Sequence, residues 1–570
     1  MTCIPGLLLV TVMMAVAGIG NLAPKRLFME NKKKIYIAVT ALVVVLLAAV
    51  GIYALSGTAE EQEKKDKKKS KYSDKVCLAD NYIDALPANP VAIVRVQADR
   101  LLEKSELLSN SDFNRLYSDF KDIFPENLQA NVDAFLADPS SAGVDITRPV
   151  YAGVYMNGVT EMVAAVPLSD KQRLIEVMMS VLTDLDYEVV EEEGGLCYIV
   201  DNYGKRFPNV VFDNKTLLCT PYADVMKFVQ SSGSGLSSDE AYSTLFASGS
   251  DVAMAADIDN ILSIYGDSVL KGPTGKAVSN ILAGSRIDAT VDFVNGGVDG
   301  VAELKLQPKY APIAGIIKGA TGKHIKYMPD NAVAIYNFKA DINVLYNMLP
   351  TLIDGVSDIS VIDNAMEMFG IDKSFINRLS TEFSLAVLPS AKVGKEYGPR
   401  FVIAMDNPDK EIFNFVLNFI GKENLEKIGA DAYALGLNKY ATQNRNGKVK
   451  TSVAGYDYCL AYNNGTMFLI PVDVYRSKVV SSSSVGNAWF KELGGKELCV
   501  NTTALDRCGF VLPDYVQKFM DFMQIGTLTV EFDDISKMKM HLDVQEKGCN
   551  VLKLATDTFF KNFLSLILPK

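Results

Sequence analysis

Histidine is scarce in this chain, which has two histidines in 570 residues. Neither His324 nor His541 has a second histidine or a cysteine at the spacing of a metal site. The chain therefore offers few candidate residues for a histidine-dependent catalytic triad. We interpret His324 as an exposed linker residue and His541 as a strand residue.

The eight cysteines form no CxxC pair. A zinc ribbon and a thioredoxin-like motif both need such pairs, so the sequence argues against both. Cys197 and Cys219 lie inside apolar runs, and cysteine is among the most buried residue types. We predict that both are buried strand residues and not metal ligands. The disulfide state stays open.

Phosphate-binding and serine-hydrolase motifs are also missing. Segments 272–277 and 319–324 contain Gly-Lys but lack the glycine spacing, and the Ser or Thr after Lys, of a phosphate-cradling loop. No GxSxG sequence appears, and Ser481 to Ser484 fits a flexible loop better than a nucleophile site. The sequence thus identifies no catalytic, cofactor-binding or metal-ligating residue, and no cofactor.

Paired carboxylates are what a glycosidase-type mechanism would need, and the chain has several pairs, such as Asp257 with Asp259 and Asp533 with Asp534. Spacing alone does not separate such pairs from solvated acids in turns. Because acidic side chains are mostly exposed, we favour the turn interpretation.

Positive charge is in deficit, since the net charge is -11. Nucleic-acid binding needs a surface rich in Lys and Arg, so a nucleic-acid partner is not expected. With 49 % hydrophobic and 22 % charged residues, the chain is long enough for two domains of ordinary size.

One uncharged apolar run is long enough to span a membrane. Ile35 to Leu55 would form a helix about 31 Å long, which matches a hydrocarbon core of about 30 Å. The run lacks the polar periodicity of a half-exposed helix. We therefore predict a transmembrane anchor at residues 35–55, through which the chain contacts the membrane.

The segment before the anchor, residues 1–34, allows two interpretations. Ile4 to Ile19 is apolar but short and makes a poor secretory signal, so it would be half of a membrane hairpin. Alternatively, the true start is Met29, which opens a positively charged region directly before the anchor. Leu55-Ser56-Gly57 looks like a lipoprotein signal but is followed by Thr58 and not by cysteine. We expect an uncleaved anchor, although cleavage after Ser56 stays open.

Residues 56–76 predict a solvated linker. Thr58 to Lys75 contains seven lysines, five acidic residues and no apolar run. Contact of these lysines with anionic lipid headgroups is the alternative. The basic cluster Lys32 to Lys34 abuts the anchor directly, whereas the later lysines are interleaved with acids. We therefore place residues 77–570 outside the cytoplasm, as the periplasmic part of a single-pass inner-membrane protein.

The rest of the chain looks like one unit built twice. LPANPVAIVRVQAD, from Leu86 to Asp99, returns as MPDNAVAIYNFKAD, from Met328 to Asp341. Strand, turn and helix signals then recur in the same order. We predict an α+β protein of two tandem homologous repeats, 77–322 and 323–570. Hairpin turns such as Asn157-Gly158, Asn295-Gly296 and Asn464-Gly465 predict mainly antiparallel sheets with packed helices.

Individual elements are predicted as well. Strands are expected at 91–96, 150–156 and 161–168, and a helix capped by Asp170 at 171–182. A further helix is expected at 223–230, and a flexible loop from Ser231 to Glu240. Leu552 to Leu568 is amphipathic and carries three charged residues, so we predict a packing helix and not a second membrane span.

Two stretches carry a family resemblance: YIDALPANPVAIVRV, which begins at Tyr82, and GVDITRPVYAGVY, which begins at Gly143. Together with the tandem strand-turn-strand units, they resemble an uncharacterised family of bacterial envelope proteins, domain of unknown function four-eight-three-six. The resemblance covers residues 77–570 and implies a Bacteroidetes-like source and an envelope location, with members that look like lipoproteins. This chain departs from that pattern at Thr58. The resemblance implies no reaction, cofactor or catalytic residue.

The expected function is that of a membrane-anchored extracytoplasmic envelope protein with a non-catalytic binding or structural role. Its candidate partners are envelope proteins or lipids. One alternative is a lipid-binding or small-ligand-binding module with an apolar pocket between sheet and helix. The other is a carboxylate-dependent hydrolase, which would require paired acids of perturbed pKa in a cleft.

Overall fold

The computed structural model describes residue 78 and residues 81–567, with internal gaps. The gaps are 124–125, 157–159, 183–185, 193, 221–223, 230–232, 263–277, 353–358, 368–370, 394–395, 437–438, 444–448, 454–456, 478–497, 503, 505–524 and 535. The predicted anchor, the segment before it and the linker lie outside the described residues, as do the 157–158 turn, segment 272–277 and the serine run 481–484. Within the described ranges, no helix combines the length and the apolar character that crossing a membrane requires.

The described chain is an α+β protein with one sheet of 21 strands and a separate two-stranded hairpin. All strand pairings in these ranges are antiparallel, which confirms the predicted sheet type. The strands are β1 Ala92–Val96, β2 Val150–Met156, β3 Thr160–Pro167, β4 Tyr187–Glu191, β5 Cys197–Asp201, β6 Arg206–Phe212, β7 Thr216–Cys219, β8 Val252–Asp257, β9 Arg286–Val294, β10 Gly297–Lys305, β11 Ile317–Lys318, β12 Ala334–Ala340, β13 Glu382–Val393, β14 Glu396–Asp406, β15 Glu426–Gly429, β16 Ala432–Ala434, β17 Lys439–Gln443, β18 Val449–Val453, β19 Tyr458–Asn463, β20 Thr466–Pro471, β21 Leu498–Asn501, β22 Ile525–Asp534 and β23 Lys537–Val544.

Helices lie between these strands and after the last one. They are α1 Ala98–Ser105, α2 Ser111–Phe120, α3 Glu126–Ala137, α4 Lys171–Leu182, α5 Ser243–Phe246, α6 Ile342–Leu352, α7 Ile359–Glu367, α8 Lys373–Leu379, α9 Glu411–Ile420, α10 Val472–Arg476 and α11 Val551–Ile567. Short 3-10 helices precede the first strand of each half, at Tyr82–Ala85 and Ile325–Tyr327.

The large sheet is continuous across both halves of the chain. In the first half, neighbouring strands follow the order β10, β9, β8, β1, β2, β3, β7, β6, β5, β4. In the second half, the order is β23, β22, β21, β12, β13, β14, β20, β19, β16, β15. β10 pairs with β23 and joins the halves. The hairpin β17–β18 stands apart, and β11 adds to β12.

The core lies on both faces of the sheet because alternate strand residues point to opposite sides. Ile93 belongs to a cluster beneath the 3-10 helix that contains Tyr82, whereas Val94 and Val96 belong to a cluster that includes Val551 of α11. Phe560 is buried at 7 % exposure, and Leu552, Leu554 and Ala555 pack against that cluster, so α11 is a packing helix, as predicted.

Local sequence signals set several boundaries as predicted. The Oδ1 atom of Asp170 accepts a hydrogen bond from the Arg173 backbone N at 3.0 Å and thereby caps α4. Asn464 and Gly465 both have positive φ, 46° and 78°. That conformation suits the tight antiparallel hairpin between β19 and β20.

Two predictions for segment 223–240 differ from the structure. The helix expected at 223–230 is wrong, because the described residues 224–229 form a 3-10 turn, at Val225–Lys227, and no α-helix. The stretch expected as a flexible loop is instead fastened to the first 3-10 helix. The Asp84 carboxylate accepts bonds from the Ser237 backbone N and Oγ at 2.7 and 2.6 Å. Leu236 is 3 % exposed, so burial of this side chain also holds the segment against the sheet.

Candidate functional site

Buried polar residues mark the places where the apolar layers of this sheet are interrupted. Burying a polar group costs free energy unless it finds partners, so each such place has a structural or a functional reason. Three clusters stand out, around Arg95 on β1, around Asp251 before β8, and around His324 before β12.

Arg95 is 7 % exposed and is held by neutral acceptors. Its Nη1 donates to the Ser250 carbonyl at 3.0 Å and its Nη2 to Gln97 Oε1 at 2.8 Å. Nearby, the Arg148 guanidinium lies 4.3 Å from the centre of the Tyr82 ring. Burial is the main cause that raises the pKa of Tyr82, which keeps the phenol protonated. Tyr82 Oη therefore serves as a donor, to the Pro149 carbonyl at 2.9 Å.

The Asp251 side chain is fully buried and lies between two cations of α1. Its Oδ1 is 3.0 Å from Arg100 Nε and its Oδ2 is 2.5 Å from Lys104 Nζ. Oδ2 also accepts a bond from the Phe293 backbone N at 2.8 Å. Arg100 reaches a second carboxylate as well, Asp292 Oδ1, at 3.2 Å. This network ties α1 to β8 and β9.

His324 is 2 % exposed, so its predicted place as an exposed linker residue is wrong. The segment folds back as the 3-10 helix Ile325–Tyr327, which packs on the sheet with Met328. His324 Nε2 lies 3.0 Å from Asp406 Oδ1. Burial is the largest influence on the pKa of His324 and lowers it, while Asp406 acts in the opposite direction.

Two acidic side chains complete the His324 cluster. Asp406 also accepts a bond from Thr381 Oγ1 at 3.2 Å and pairs with Lys323. Glu382 accepts bonds from Thr321 Oγ1 at 2.8 Å and from the Lys323 backbone N at 3.2 Å. The carboxylates are thus engaged by neighbouring groups of the same fold.

A paired His and Asp also occur in nucleophilic active sites, where the aspartate orients the histidine toward a hydroxyl. Here the Thr381 hydroxyl donates to Asp406, so it is not presented to His324. The His324 ring is almost completely covered, and a substrate would have to displace that cover. The geometry therefore favours a structural role for this cluster.

His541 is a strand residue of β23, as predicted. Its Nδ1 lies 2.5 Å from Asp299 Oδ1 on β10 and its Nε2 lies 3.1 Å from Asp543 Oδ1. We call the pairing of Gly297–Glu303 with Lys537–Asp543 the seam, because it joins the two halves of the sheet. His541 therefore contributes a polar contact across the seam.

A cleft of about 310 Å³ lies beside α1. Acidic and apolar side chains both line it, among them Asp99, Glu103, Leu102 and Ile146. Asp99 is engaged as the acceptor of a bond from Gln97 Nε2 at 2.8 Å. The cleft combines apolar walls with carboxylates, as small-molecule sites do, although most such sites are more enclosed.

The carboxylate pairs singled out in the sequence have separate local tasks. Asp257 accepts a bond from the Asn260 backbone N at 3.1 Å, and Asp259 one from the Gly284 backbone N at 2.7 Å. Asp533 pairs with Lys539 at 3.2 Å, and Asp534 Oδ1 accepts a bond from the Ser536 backbone N at 2.8 Å. These are the contacts of turn and surface acids.

Cys197 and Cys219 are buried residues of β5 and β7, at 0 % and 8 % exposure, as predicted. Burial raises the pKa of both thiols, that of Cys219 to about 12. Within the described ranges, no group of three or more His, Cys, Asp or Glu side chains is arranged to hold a metal ion.

Comparison of this chain with known proteins does not identify its family or its function. No known protein family and no curated protein matches this sequence. Two solved structures, crystal forms III and I of TP0453, share 8 % identity with it and cover 40 % of this chain and 81 % and 80 % of their own. Their TM-scores of 0.23 and 0.22 are too low to support any argument about fold or function. The resemblance to the four-eight-three-six family therefore stays a prediction.

Proposed function

We propose that this protein is a membrane-anchored extracytoplasmic envelope protein that acts by binding or as a structural component, and not by catalysis. The observation that carries the proposal is that the acidic groups of two polar clusters are already engaged by neighbouring residues. Asp251 lies between Arg100 and Lys104, and the carboxylate beside His324 is occupied by Lys323 and Thr381. Because neighbouring residues of the fold engage these groups, they are not presented to a substrate.

The proposal includes two tandem homologous repeats. When Ala92 of β1 is matched to Ala334 of β12, the register agrees with the sequence match on one side, because Val154 and Val387 hold the same place in VYAGVYM and FSLAVLP. Ala92 faces Val154 of β2 and Ala256 of β8. Ala334 faces Val387 of β13 and Val500 of β21. Agreement of strand register with sequence match supports duplication more strongly than either alone. On the other side, the register by itself assigns Val500 as the counterpart of Ala256.

The match continues to the strands of the seam. Ala256 faces Ile287 of β9 and Val500 faces Leu528 of β22. Further along those strands, Thr290 faces Val301 and Glu531 faces Lys539. Val301 and Lys539 therefore correspond. They are also directly opposite each other in the seam, as the axis of a pseudo-twofold arrangement requires.

Anchoring is proposed from the apolar run at 35–55 and the charge distribution around it. The test labels intact cells with a membrane-impermeant thiol reagent after Ser70→Cys in a background without native cysteines. The outer membrane of a Gram-negative host is first permeabilised. We expect labelling before the inner membrane is lysed, and the same substitution at Ser56, next to the anchor, should label less. Labelling of Ser70→Cys only after lysis would place the linker in the cytoplasm and refute the envelope assignment.

The binding or structural role is tested by crosslinking in living cells followed by mass spectrometry. The proposal expects a reproducible envelope partner, protein or lipid, whose capture survives His324→Gln in folded protein. If turnover of a small molecule by the purified chain were abolished by His324→Gln while the fold remained intact, the non-catalytic assignment would be wrong.

The cleft beside α1 favours a second candidate, a lipid-binding or small-ligand-binding module. Native mass spectrometry of the purified chain would then show a bound molecule of constant mass. Leu102→Trp, which adds bulk to the cleft wall, should remove that molecule, whereas Phe207→Trp at an exposed position of β6 should not. Equal retention in both variants would exclude this cleft as the site.

A further inference from the structure

The seam has one apolar and one charged face. On the apolar face, Val298 lies opposite Leu542 and Ala302 opposite Met538, and all four residues belong to one buried cluster. Apolar contacts of this kind are permissive, since residues of similar size replace one another at modest cost. They therefore do little to choose the partner of either strand.

The charged face is complementary across the seam. Asp299 lies opposite His541, and Glu303 lies opposite Lys537. Between these pairs, Val301 lies opposite Lys539. Opposite charges at directly paired positions of an antiparallel sheet stabilise the pairing, and like charges there destabilise it.

The pseudo-twofold relation shows what the alternative pairings would contain. Since Val301 corresponds to Lys539, Asp299 corresponds to Lys537 and Glu303 corresponds to His541. Two copies of β10 paired in the same geometry would place Asp299 of each copy opposite Glu303 of the other. Acid would face acid at both positions.

Pairing two copies of β23 would also place side chains of the same kind opposite each other. Lys537 of each copy would lie opposite His541 of the other, and Lys539 would lie opposite its own counterpart. Basic side chains would then meet along the centre of the pairing. Of the three possible pairings, only β10 with β23 brings acidic residues opposite basic ones.

We infer that the charged face of the seam is a specificity code. It directs the first repeat to pair with the second and rejects pairing of like with like, an inference that rests on the proposed duplication. The partner that fits either edge is thus the other repeat, in the same chain or in a second copy of it. An oligomer formed through these strands would be a reciprocal exchange of repeats between chains.

The test uses charge reversal in the full chain, purified in detergent. One variant carries Asp299→Lys and Glu303→Lys, a second carries Lys537→Glu and His541→Glu, and a third carries all four changes. We expect each double variant to lower the melting temperature by roughly 1–3 °C, and the fourfold variant to recover at least half of the summed loss. Amide exchange in Gly297–Glu303 should rise in the double variants and return toward its original rate in the fourfold one.

A matched control reverses two exposed acids away from the seam, Glu188→Lys on β4 and Glu426→Lys on β15. It changes the net charge as much as the first double variant and should leave seam exchange unchanged. If a double variant does not fold, recovery of folded protein in the fourfold variant is the same supporting result. If the melting temperature of the variant with all four changes fell by the sum of the falls in the two double variants, the code would be refuted.

The register of the seam has a separate readout. Val301→Cys with Lys539→Cys should form a disulfide on oxidation, because directly opposed strand residues lie within the Cα separation that a disulfide spans. Failure of that crosslink would overturn the register on which the inference rests. If the crosslink formed but the falls in melting temperature of the two double variants were additive, the register would stand and only the code would be refuted.

Discussion

Removal of the buried carboxylate at Asp251 should be among the more damaging single changes in the first half of the chain. Asp251→Ala leaves Arg100 and Lys104 without their shared anion and the Phe293 backbone N without its side-chain acceptor. Breaking a fully buried ion pair costs about 3–5 kcal/mol. The two cationic side chains are 36 % and 23 % exposed, so both can turn partly to water. An unsatisfied buried amide adds about 1–3 kcal/mol, and we expect a net loss of about 3 kcal/mol.

The assay is urea unfolding of the full chain in detergent, combined with amide exchange. Because a chain of this size need not unfold in one step, the midpoint of the first transition and the exchange of α1 amides are compared. Asp533→Ala is the control, since Asp533 and Lys539 are each 50 % exposed and such a pair contributes about 0–1 kcal/mol. If Asp251→Ala destabilised the chain no more than Asp533→Ala, the network around α1 would not be the tie inferred here.

Three further outcomes are expected. Burial lowers the pKa of His324 below its usual 6.5, so on acidification the unfolded chain takes up a proton before the folded chain does, and stability is lost as pH falls below about 6.5. His324→Gln should flatten the dependence of melting temperature on pH between pH 7.5 and 5. An unchanged pH dependence would contradict the assignment. Gly143→Ala should destabilise the chain by at least about 2 kcal/mol, because φ is +80° and the added Cβ would lie 2.3 Å from the Asp170 carbonyl oxygen; wild-type melting behaviour would contradict this. Cys219, with a pKa of about 12, should be alkylated at neutral pH far more slowly than the partly exposed Cys549 in folded protein. Peptide mass spectrometry measures both rates. Equal rates would mean that Cys219 is accessible.

Sequence alone determined much of the secondary structure because the signals for it are local. Short apolar runs joined by Asn157-Gly158 predicted β2 and β3, and the Asn464-Gly465 dipeptide predicted the hairpin between β19 and β20. Asp170 marked the start of α4. Each signal acts within a few residues, where period, cap and turn chemistry decide the backbone conformation. Hairpins of this kind account for the antiparallel pairing of strands that are consecutive in the chain.

The polar clusters were not predicted, since their members are distant in sequence. Lys104 and Asp251 meet only when α1 packs beside β8 and β9. For His324, a usable signal did exist. Aligning the openings of the two halves places His324 opposite Tyr82, and an aromatic counterpart argues against an exposed linker residue.

Tertiary structure alone decided which strands are neighbours and which polar groups are buried. The helix expected at 223–230 reduced to a 3-10 turn, and the Ser237 stretch was fastened by Asp84, because long-range contacts outweigh weak local preferences. β10 and β23 pair although they are far apart in the sequence, so no local signal marks them as neighbours. Local chemistry can specify a strand, but the choice of its partner is a free-energy difference between whole arrangements, which only the folded chain resolves.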